Sequence, residues 1–280
     1  MLYALAPPYL LGDNMLSHLN LLSITDDLYS ILIKDDRWKY FVTGLKNTLI
    51  ITLFAAIMGV VIGFLIAIVR SSADKLKKAD NITSLFAHFK AVIKARSSKQ
   101  AYKKISFGRI IFYLLDDVCR LYLTVIRGTP VIVQLMIINY WILTSMGGTL
   151  LVAIIAFGIN SGAYVAEIVR SGIMSIDVGQ EEAGRSLGMN FVQTMIFVII
   201  PQAVKNILPA LVNEAIVLLK ETSVSGYVAI FDLTKGGDVV RSITWKPLVL
   251  FIVAAIYLVV VLIMTKFLGK LERRLRNSER

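Results

Sequence analysis

Six polar side chains within apolar sequence are the residues of this chain that could do chemistry on a small solute. Polar groups in a membrane interior are costly, so they usually face a cavity or another helix and mark a path for a solute or ion. A carboxylate among them could hold an ammonium group, or it could pair with Lys205, with Lys220 or with a second copy of the chain, and both alternatives stay open. The six residues are Gln134, Asn139, Asn160, Ser161, Asn213 and Glu214.

Catalytic chemistry has little support in the sequence. His18 and His88 lie far apart, and Cys119 is the single cysteine, so no intramolecular disulfide can form. No cluster of histidine, cysteine and carboxylate has the spacing of metal ligands, and no serine or cysteine lies in a nucleophile motif. The Gly-x4-Gly-Lys-Ser/Thr loop that cradles ATP phosphates is also absent. We therefore predict that this chain is no enzyme and binds no metal or cofactor itself.

The composition is that of an integral membrane protein. Of 280 residues, 56% are hydrophobic and 18% are charged, whereas a soluble domain is about half apolar and about a quarter charged. Three runs carry no charge, over 48–69, 128–166 and 248–265. About 20 apolar residues cross a bilayer as a helix. This pattern excludes a soluble enzyme, a disordered chain and a disulfide scaffold, and it predicts an all-α membrane protein.

Five transmembrane helices fit the apolar blocks. The segment 107–127 carries Asp116, Asp117, Arg120 and Arg127. Four charges in 12 residues argue against a position at the bilayer centre, so we interpret this segment as an amphipathic helix at the membrane interface. The predicted spans are about 45–69, 129–147, 149–169, 189–219 and 247–267.

The distribution of charge predicts the orientation. Residues 70–110 contain 11 basic and 2 acidic residues, residues 1–40 contain 3 basic and 5 acidic ones, and the tail from Lys266 is again basic. The positive-inside rule then places the N-terminus outside and the C-terminus in the cytoplasm. We predict an extracellular segment 1–40, a transmembrane domain 41–270 with a basic cytoplasmic loop 70–110, and a basic tail 271–280. Topology explains the net charge of +11 better than nucleic acid, because stacking aromatics are not interleaved with the basic residues.

Two stretches carry more specific information. In the first, Gly128 should end the interfacial helix, Thr129 can cap the next one, and Pro130 suits its first position. The second is the acidic cytoplasmic loop 171–188, where Asp177 and Gln180 could form a capping box and Gly188 could stop the helix. Ala183, Gly184 and Leu187 give this short helix a smooth face of small residues. Such a helix, joined at both ends to spans, is suited to docking on another protein.

The second stretch resembles the EAA loop of ABC-importer permease subunits. The family pattern is Glu-Ala-Ala, x3, Gly, x9, Ile, x, Leu, Pro, and this chain departs from it only at Gly184, Val198 and Ile200. Further blocks resemble the subgroup for polar amino acids, of the histidine/glutamine/glutamate/arginine/opine type. The similarity covers about 39–275, and its blocks are 44–49, 127–135, 160–172, 201–203, 208–214 and 219–223.

The resemblance implies a type I ABC-importer permease fold with a short cytoplasmic coupling helix. It implies ATPase coupling through Glu182, Ala183, Gly184 and Gly188. The substrate path, predicted from the polar residues within apolar sequence, runs through Gln134, Asn160, Asn213 and Glu214. The resemblance also implies a bacterial cytoplasmic membrane protein that pairs with a second permease copy or paralogue, with an ABC subunit that binds ATP-Mg, and with an extracellular or periplasmic amino-acid-binding protein. The structural signature residues are Arg127, Gly128, Thr129, Pro130 and Pro201.

Two regions depart from the family, and one other class of protein stays open. The loop 70–110 is longer than the usual connection, with weakly helical apolar spacing over 81–102, and the N-terminal 35 residues lie beyond the family core. The alternative is an ion-coupled secondary amino-acid transporter. That class usually has more spans and internal repeats, and no repeat is visible here.

Overall fold

The computed structural model describes residues 21–80 and 107–277, and these are folded into helices joined by short turns. Short π-helical turns and 3-10 segments connect or extend these helices. The π-helical turns are Tyr29–Ile33, Ile138–Ile142 and Met195–Ile199, and the 3-10 segments are Lys34–Asp36, Thr144–Met146 and Thr222–Val228. His18, His88 and the predicted helical spacing over 81–102 lie outside the described residues. The helices are α1 Leu21–Leu28, α2 Trp38–Asp80, α3 Phe107–Gly128, α4 Val131–Ile137, α5 Leu150–Met174, α6 Val178–Ser186, α7 Phe191–Thr194, α8 Ile200–Glu221, α9 Leu233–Thr244 and α10 Leu248–Asn277.

Four helical stretches are long and apolar enough to cross a membrane: Trp38–Asp74, Leu150–Met174, Phe191–Val228 and Leu248–Leu275. A fifth candidate is the pair Gly108–Gly128 and Val131–Ile142, whose axes differ by 110°. Helices α2 and α5 run in the same direction, as their paired contacts below show. The chain between them must therefore return across the bundle once, and the bent pair supplies that crossing. The fold has the five predicted crossings when the bent pair is counted as one.

Glycines hold α2 against α5. Gly59 and Gly63 are four residues apart on α2, and Gly158 and Gly162 repeat the spacing on α5. A Cβ built on Gly63 would lie 2.5 Å from Val165 Cγ1 and 2.8 Å from the Ala166 nitrogen. In membranes, small residues at i and i+4 let two helix backbones approach closely, because van der Waals packing replaces the hydrophobic effect. These contacts make α5, the most buried of the spans, the centre of the bundle.

We expect Gly63→Leu to destabilise the folded chain by about 2–3 kcal/mol, because a larger side chain has no room against a neighbouring backbone. The loss of stability is measured by heating the purified protein and monitoring its unfolding by size-exclusion chromatography. Gly269→Leu is the matched control, since a Cβ at Gly269 on α10 meets nothing within 4 Å. Equal stability of the two variants would show that the close α2–α5 contact does not hold the fold.

The first span continues well past its predicted end. Helix α2 extends to Asp80, and the stretch predicted as the start of a basic loop is helical over 70–80. The end of α2 stays helical because its side chains form ion pairs with α3. Asp116 of α3 is fully buried and accepts a hydrogen bond from Lys77 at 2.6 Å and one from Arg120 at 2.9 Å, while Arg120 also reaches Asp74 at 2.7 Å. These ion pairs extend α2 as a helix and attach α3 to it.

Other boundaries differ from the predictions by a few residues. The N-cap of α4 is Pro130 rather than Thr129. The fourth crossing contains the π-helical turn Met195–Ile199, which ends two residues before Pro201. Because proline has no N–H to donate to the preceding turn, the hydrogen-bond ladder is interrupted there. Helices α5 and α10, which form the third and fifth predicted spans, run beyond the predicted ends at 169 and 267.

The end of the bundle at which α2 begins is closed by α9 and the N-terminal segment. Asn47 Nδ2 donates to the Phe231 carbonyl at 2.7 Å, and the Leu233 N–H donates to Thr48 Oγ1 at 3.1 Å. Asp232 caps α9 by accepting from the backbone of Lys235 at 2.8 Å, and burial raises the pKa of its carboxyl. The buried Ile31 of the N-terminal segment packs in one apolar cluster with Leu233 and Val240 of α9.

Candidate functional site

Helix α6 is the short helix predicted in the loop after the third span. Asp177 caps its N-terminus by accepting from the Gly179 N–H at 2.6 Å. The predicted capping box with Gln180 is not formed, because the side-chain oxygen of Gln180 accepts instead from Gln202 of α8 at 3.1 Å. The helix is therefore tied both to its own first turn and to the span that follows it.

The C-terminus of α6 ends in a hydrogen-bonded stop. Gly188 has φ +80°, its N–H donates to the Arg185 carbonyl at 3.0 Å, and the Met189 N–H donates to the Gly184 carbonyl at 3.1 Å. This pair of bonds is a Schellman motif, which needs a left-handed residue at the position after the cap and so favours glycine. Gly188 thus acts through its backbone, turning the chain into the fourth span.

Gly184 explains the departure from the Glu-Ala-Ala pattern. It is buried against Thr194 of α7, and a Cβ at this position would lie 2.7 Å from Thr194 Cγ2. Asn190 and Gln193 form a reciprocal capping box at the start of α7, which fixes Thr194 in place. The absence of a side chain at Gly184 therefore lets α7 pack directly against α6.

The opposite side of α6 is free within the part of the chain that is described. Glu182 and Ala183 are exposed, Val178 is 71% exposed and Leu187 is 83% exposed. Exposed apolar side chains next to a carboxylate, on a rigidly joined helix, are suited to insertion into a groove on another protein. Of the residues predicted to form the small-residue face, Ala183 and Leu187 lie on this surface and Gly184 does not.

Two of the predicted path residues hold the bend between α3 and α4. The Gln134 amide donates to the Ile126 carbonyl at 2.8 Å and to Thr129 Oγ1 at 2.8 Å, and its oxygen accepts from Asn160 Nδ2 at 3.0 Å. Gln134 and Asn160 are almost fully buried. These bonds satisfy carbonyls that the end of α3 leaves free, so the pair connects the Arg127–Pro130 corner to the central helix.

The other two path residues lie on α8. Ser161, next to Asn160 in the sequence of α5, donates to Glu214 Oε1 at 3.1 Å, so two neighbouring residues of α5 bond to the α3–α4 corner and to α8. Asn213 is exposed, as are Asn206 and Lys220, seven residues before and after it. A spacing of seven residues places them on one face of the helix. Asn139 lies apart from this group and accepts from the Gly148 N–H at 2.8 Å.

The polar face of α8 is the feature that the sequence interpretation missed. Asn206 and Lys220 were not among the predicted path residues, although their seven-residue spacing from Asn213 was visible in the sequence. An exposed polar stripe on a membrane-spanning helix is expensive against lipid and favours a water-filled cavity or a partner helix.

Comparison with protein families identifies a match over residues 105–277 to the family described as binding-protein-dependent transport system inner membrane component. The chain is 39% identical over 181 residues to the arginine transport system permease protein ArtQ of Bacillus subtilis (strain 168), covering 63% of this chain and 80% of that protein. It is 35% identical over 170 residues to the glutamine transport system permease protein GlnP of Escherichia coli (strain K12), covering 59% and 77%.

Solved structures share the fold. A crystal structure described as an amino acid ABC transporter with histidines is 36% identical, with a TM-score of 0.68 over 91% of this chain and 99% of that one. A chain of the methionine ABC transporter MetNI in an inward-facing conformation has a TM-score of 0.64 at 18% identity, over 87% and 99%. The second match concerns the fold alone.

Proposed function

Because the chain belongs to the family of binding-protein-dependent transport system inner membrane components, in which it is the multi-pass permease of an ABC amino-acid importer and not itself the ATPase, we propose that it carries polar amino acids by alternating access. The observation that carries the proposal is the extended similarity to permeases named for arginine and glutamine. Alternating access requires two bundles that exchange between inward and outward arrangements. The proposed location is a bacterial cytoplasmic membrane, with the N-terminus outside and the C-terminus inside.

Energy enters through α6. We assign Glu182, Ala183, Gly184 and Gly188 to coupling with a separate ABC subunit that binds ATP-Mg. These four residues contribute to coupling in different ways. Glu182 and Ala183 lie on the exposed surface that would contact the ATPase. Gly184 and Gly188 make the helix rigid, the first through Thr194 and the second through the Schellman turn. A rigid helix transmits a displacement of the ATPase to α8 instead of absorbing it.

The polar stripe on α8 supports a second permease copy or paralogue. Asn206, Asn213 and Lys220 are exposed in the single chain, within a span of which only 17% of the most apolar part is buried. A second bundle facing this stripe would enclose a polar cavity between the two. In that cavity the carboxylate of Glu214, with Asn213 beside it, would hold the ammonium group of an amino acid, and the buried Gln134–Asn160 pair would support the wall.

Delivery of the amino acid is assigned to an extracellular or periplasmic binding protein. The α9 end of the bundle is opposite the α6 end. Helices α2 and α5 run in the same direction, α2 begins beside α9, and α6 follows the end of α5. The end of α2 lies on the α6 side, because Ser71 and Asp74 border the same cavity as Asp177 and Val178. The basic residues Arg70 and Lys77 are near this end of α2, and the positive-inside rule places such residues in the cytoplasm. The binding protein would therefore dock near α9 and the segment before α2.

Glu214→Gln should weaken the response to substrate. We expect the concentration of amino acid that half-stimulates ATP hydrolysis by the reconstituted transporter to rise about tenfold or more, because a hydrogen bond to a charged group is lost. Basal hydrolysis should be unchanged. Glu272→Gln, an exposed glutamate near the end of α10, is the matched control. An unchanged half-stimulating concentration in Glu214→Gln would return that carboxylate to a structural role.

Purification of the tagged chain from native membranes in mild detergent tests the function as a whole. We expect to recover an ABC ATPase subunit and an amino-acid-binding protein, identified by mass spectrometry, and to see ATP hydrolysis stimulated by arginine, glutamine or histidine. A folded chain that reproducibly purifies alone, and that transports amino acids with an ion gradient instead of ATP, would favour the secondary transporter.

A further inference from the structure

A cavity of about 740 Å³ lies between the end of the first span and the end of α3, and arginines dominate its lining. Arg70 of α2 and Arg120 and Arg127 of α3 contribute, together with Tyr164 of α5. No lining residue among those that the structure describes is acidic. Helix α8, which carries the polar stripe, contributes nothing to this cavity, so it is separate from the proposed substrate path.

Two of the three guanidinium groups lack a strong partner within the described ranges 21–80 and 107–277. Arg120 is paired, at 2.7 Å with Asp74 and at 2.9 Å with Asp116. Arg70 is different: its side chain is 13% exposed, its Nε is buried without a hydrogen-bond acceptor, and the carboxylate oxygen that it faces, Asp116 Oδ1, is 3.7 Å away and is itself buried without a donor.

Arg127 is the second under-used cation. Its distance to the Glu167 carboxylate is 3.5 Å, at the edge of hydrogen bonding. Its guanidinium carbon lies 5.9 Å from the centre of the Tyr164 ring, an aromatic contact that positions the group without neutralising it. The Arg127 side chain is 43% exposed, so its donors are open to a ligand, whereas the buried Arg70 Nε without an acceptor is unfavourable. In the described part of the chain, the cavity lining therefore holds three guanidinium groups and no carboxylate.

The position of the cavity indicates where its ligand comes from. Arg70 is the first charge after the charge-free run 48–69, and Arg127 precedes the charge-free run 128–166. Both residues therefore lie at the level where apolar sequence gives way to charged sequence, which is the level of lipid headgroups. Planar guanidinium groups bind phosphate oxygens with paired hydrogen bonds, and a phosphate offers oxygens to groups on two helices at once.

We propose that this cavity is a binding site for a phosphate-bearing anion, held by Arg70 and Arg127 across the α2–α3 junction. The shared chemistry is the phosphate group, whether it belongs to the headgroup of an anionic phospholipid or to inorganic phosphate. Occupation of the site would bridge α2 to the α3–α4 corner and satisfy the donors that the protein leaves free.

Binding of three probes to the full-length purified chain tests the proposal. Native mass spectrometry would count adducts of dioctanoyl phosphatidylglycerol, of dioctanoyl phosphatidylcholine and of inorganic phosphate. We expect saturable binding of phosphatidylglycerol that weakens about tenfold or more in Arg70→Gln and in Arg127→Gln, because each removes charge-assisted hydrogen bonds. Arg109→Gln, an exposed arginine on α3 outside the cavity, should bind like the natural chain.

The three probes distinguish the possible ligands, and conservative variants distinguish loss of the site from misfolding. Saturable binding of inorganic phosphate, lost in the same two variants and stronger than that of either lipid, would identify a soluble phosphate as the ligand. Arg70→Lys and Arg127→Lys keep the charge without the planar fork and should retain part of the affinity. The proposal is overturned if Arg109→Gln weakens phosphatidylglycerol binding as much as the cavity variants do, or if phosphatidylcholine binds as tightly as phosphatidylglycerol.

Discussion

Replacing Glu182 by lysine should reduce amino-acid uptake to background while the protein still inserts and folds. Glu182 is exposed on the free side of α6, and its carboxylate is not needed by the bonds that cap the helix, which involve Asp177 and the 183–189 backbone. The variant should therefore keep the structure of α6. A reversed charge on a docking surface costs several kcal/mol against a complementary partner, which corresponds to a loss of affinity of about a hundredfold or more.

Uptake of radiolabelled arginine or glutamine into cells measures the effect, and co-purification of the ATPase subunit tells whether docking is the step that fails. Glu272→Lys makes the same charge change on an exposed part of α10 and should leave both readings intact. Wild-type uptake by Glu182→Lys would refute the coupling role of this surface. Loss of uptake with full retention of the ATPase would move the role of Glu182 from docking to the transmission of the movement.

The membrane fold could be predicted because lipid imposes strong rules on sequence. Apolar length determined the number of spans, and the charges at Asp116, Asp117 and Arg120 kept 107–127 out of the count of straight spans. The same hydropathy argument could not show that α2 continues to Asp80. That continuation depends on ion pairs with α3, which join residues 39 and 40 positions apart in the sequence, and such pairings leave no periodic signal in one chain.

The bounds of the candidate site could be predicted from local sequence signals, whereas its orientation could not. The short helix α6 follows from Asp177 and Gly188, which are local end signals, so its bounds agree with the sequence within a residue. Which of its faces is free was not predictable, because the orientation depends on Gly184 meeting Thr194 of α7. The glycine pairs at 59/63 and 158/162 were readable as a packing motif, but their mutual contact requires knowledge of which spans are neighbours.

Asp116→Ala should be the most destabilising single change in the described part of the chain outside the α2–α5 contact. Asp116 is completely buried, and Lys77 beside it is 4% exposed. Removing one partner of a buried ion pair leaves an uncompensated charge and costs about 3–5 kcal/mol. Lys77 would keep only Asp117 at 3.2 Å, whose side chain is 36% exposed. We expect a large fall in the thermal unfolding temperature of the purified chain and poor accumulation in membranes.

Asp117→Ala is the matched control, because it removes the neighbouring carboxylate of the same cluster. That carboxylate is partly solvated, and such ion pairs contribute about 0–1 kcal/mol, so the control should unfold close to the natural chain. A double variant, Lys77→Met with Asp116→Leu, removes both buried charges and should recover most of the stability that Asp116→Ala loses. If Asp116→Ala proves no worse than Asp117→Ala, the buried network does not hold α3 on α2, and the helical extension of α2 must be stabilised by other contacts.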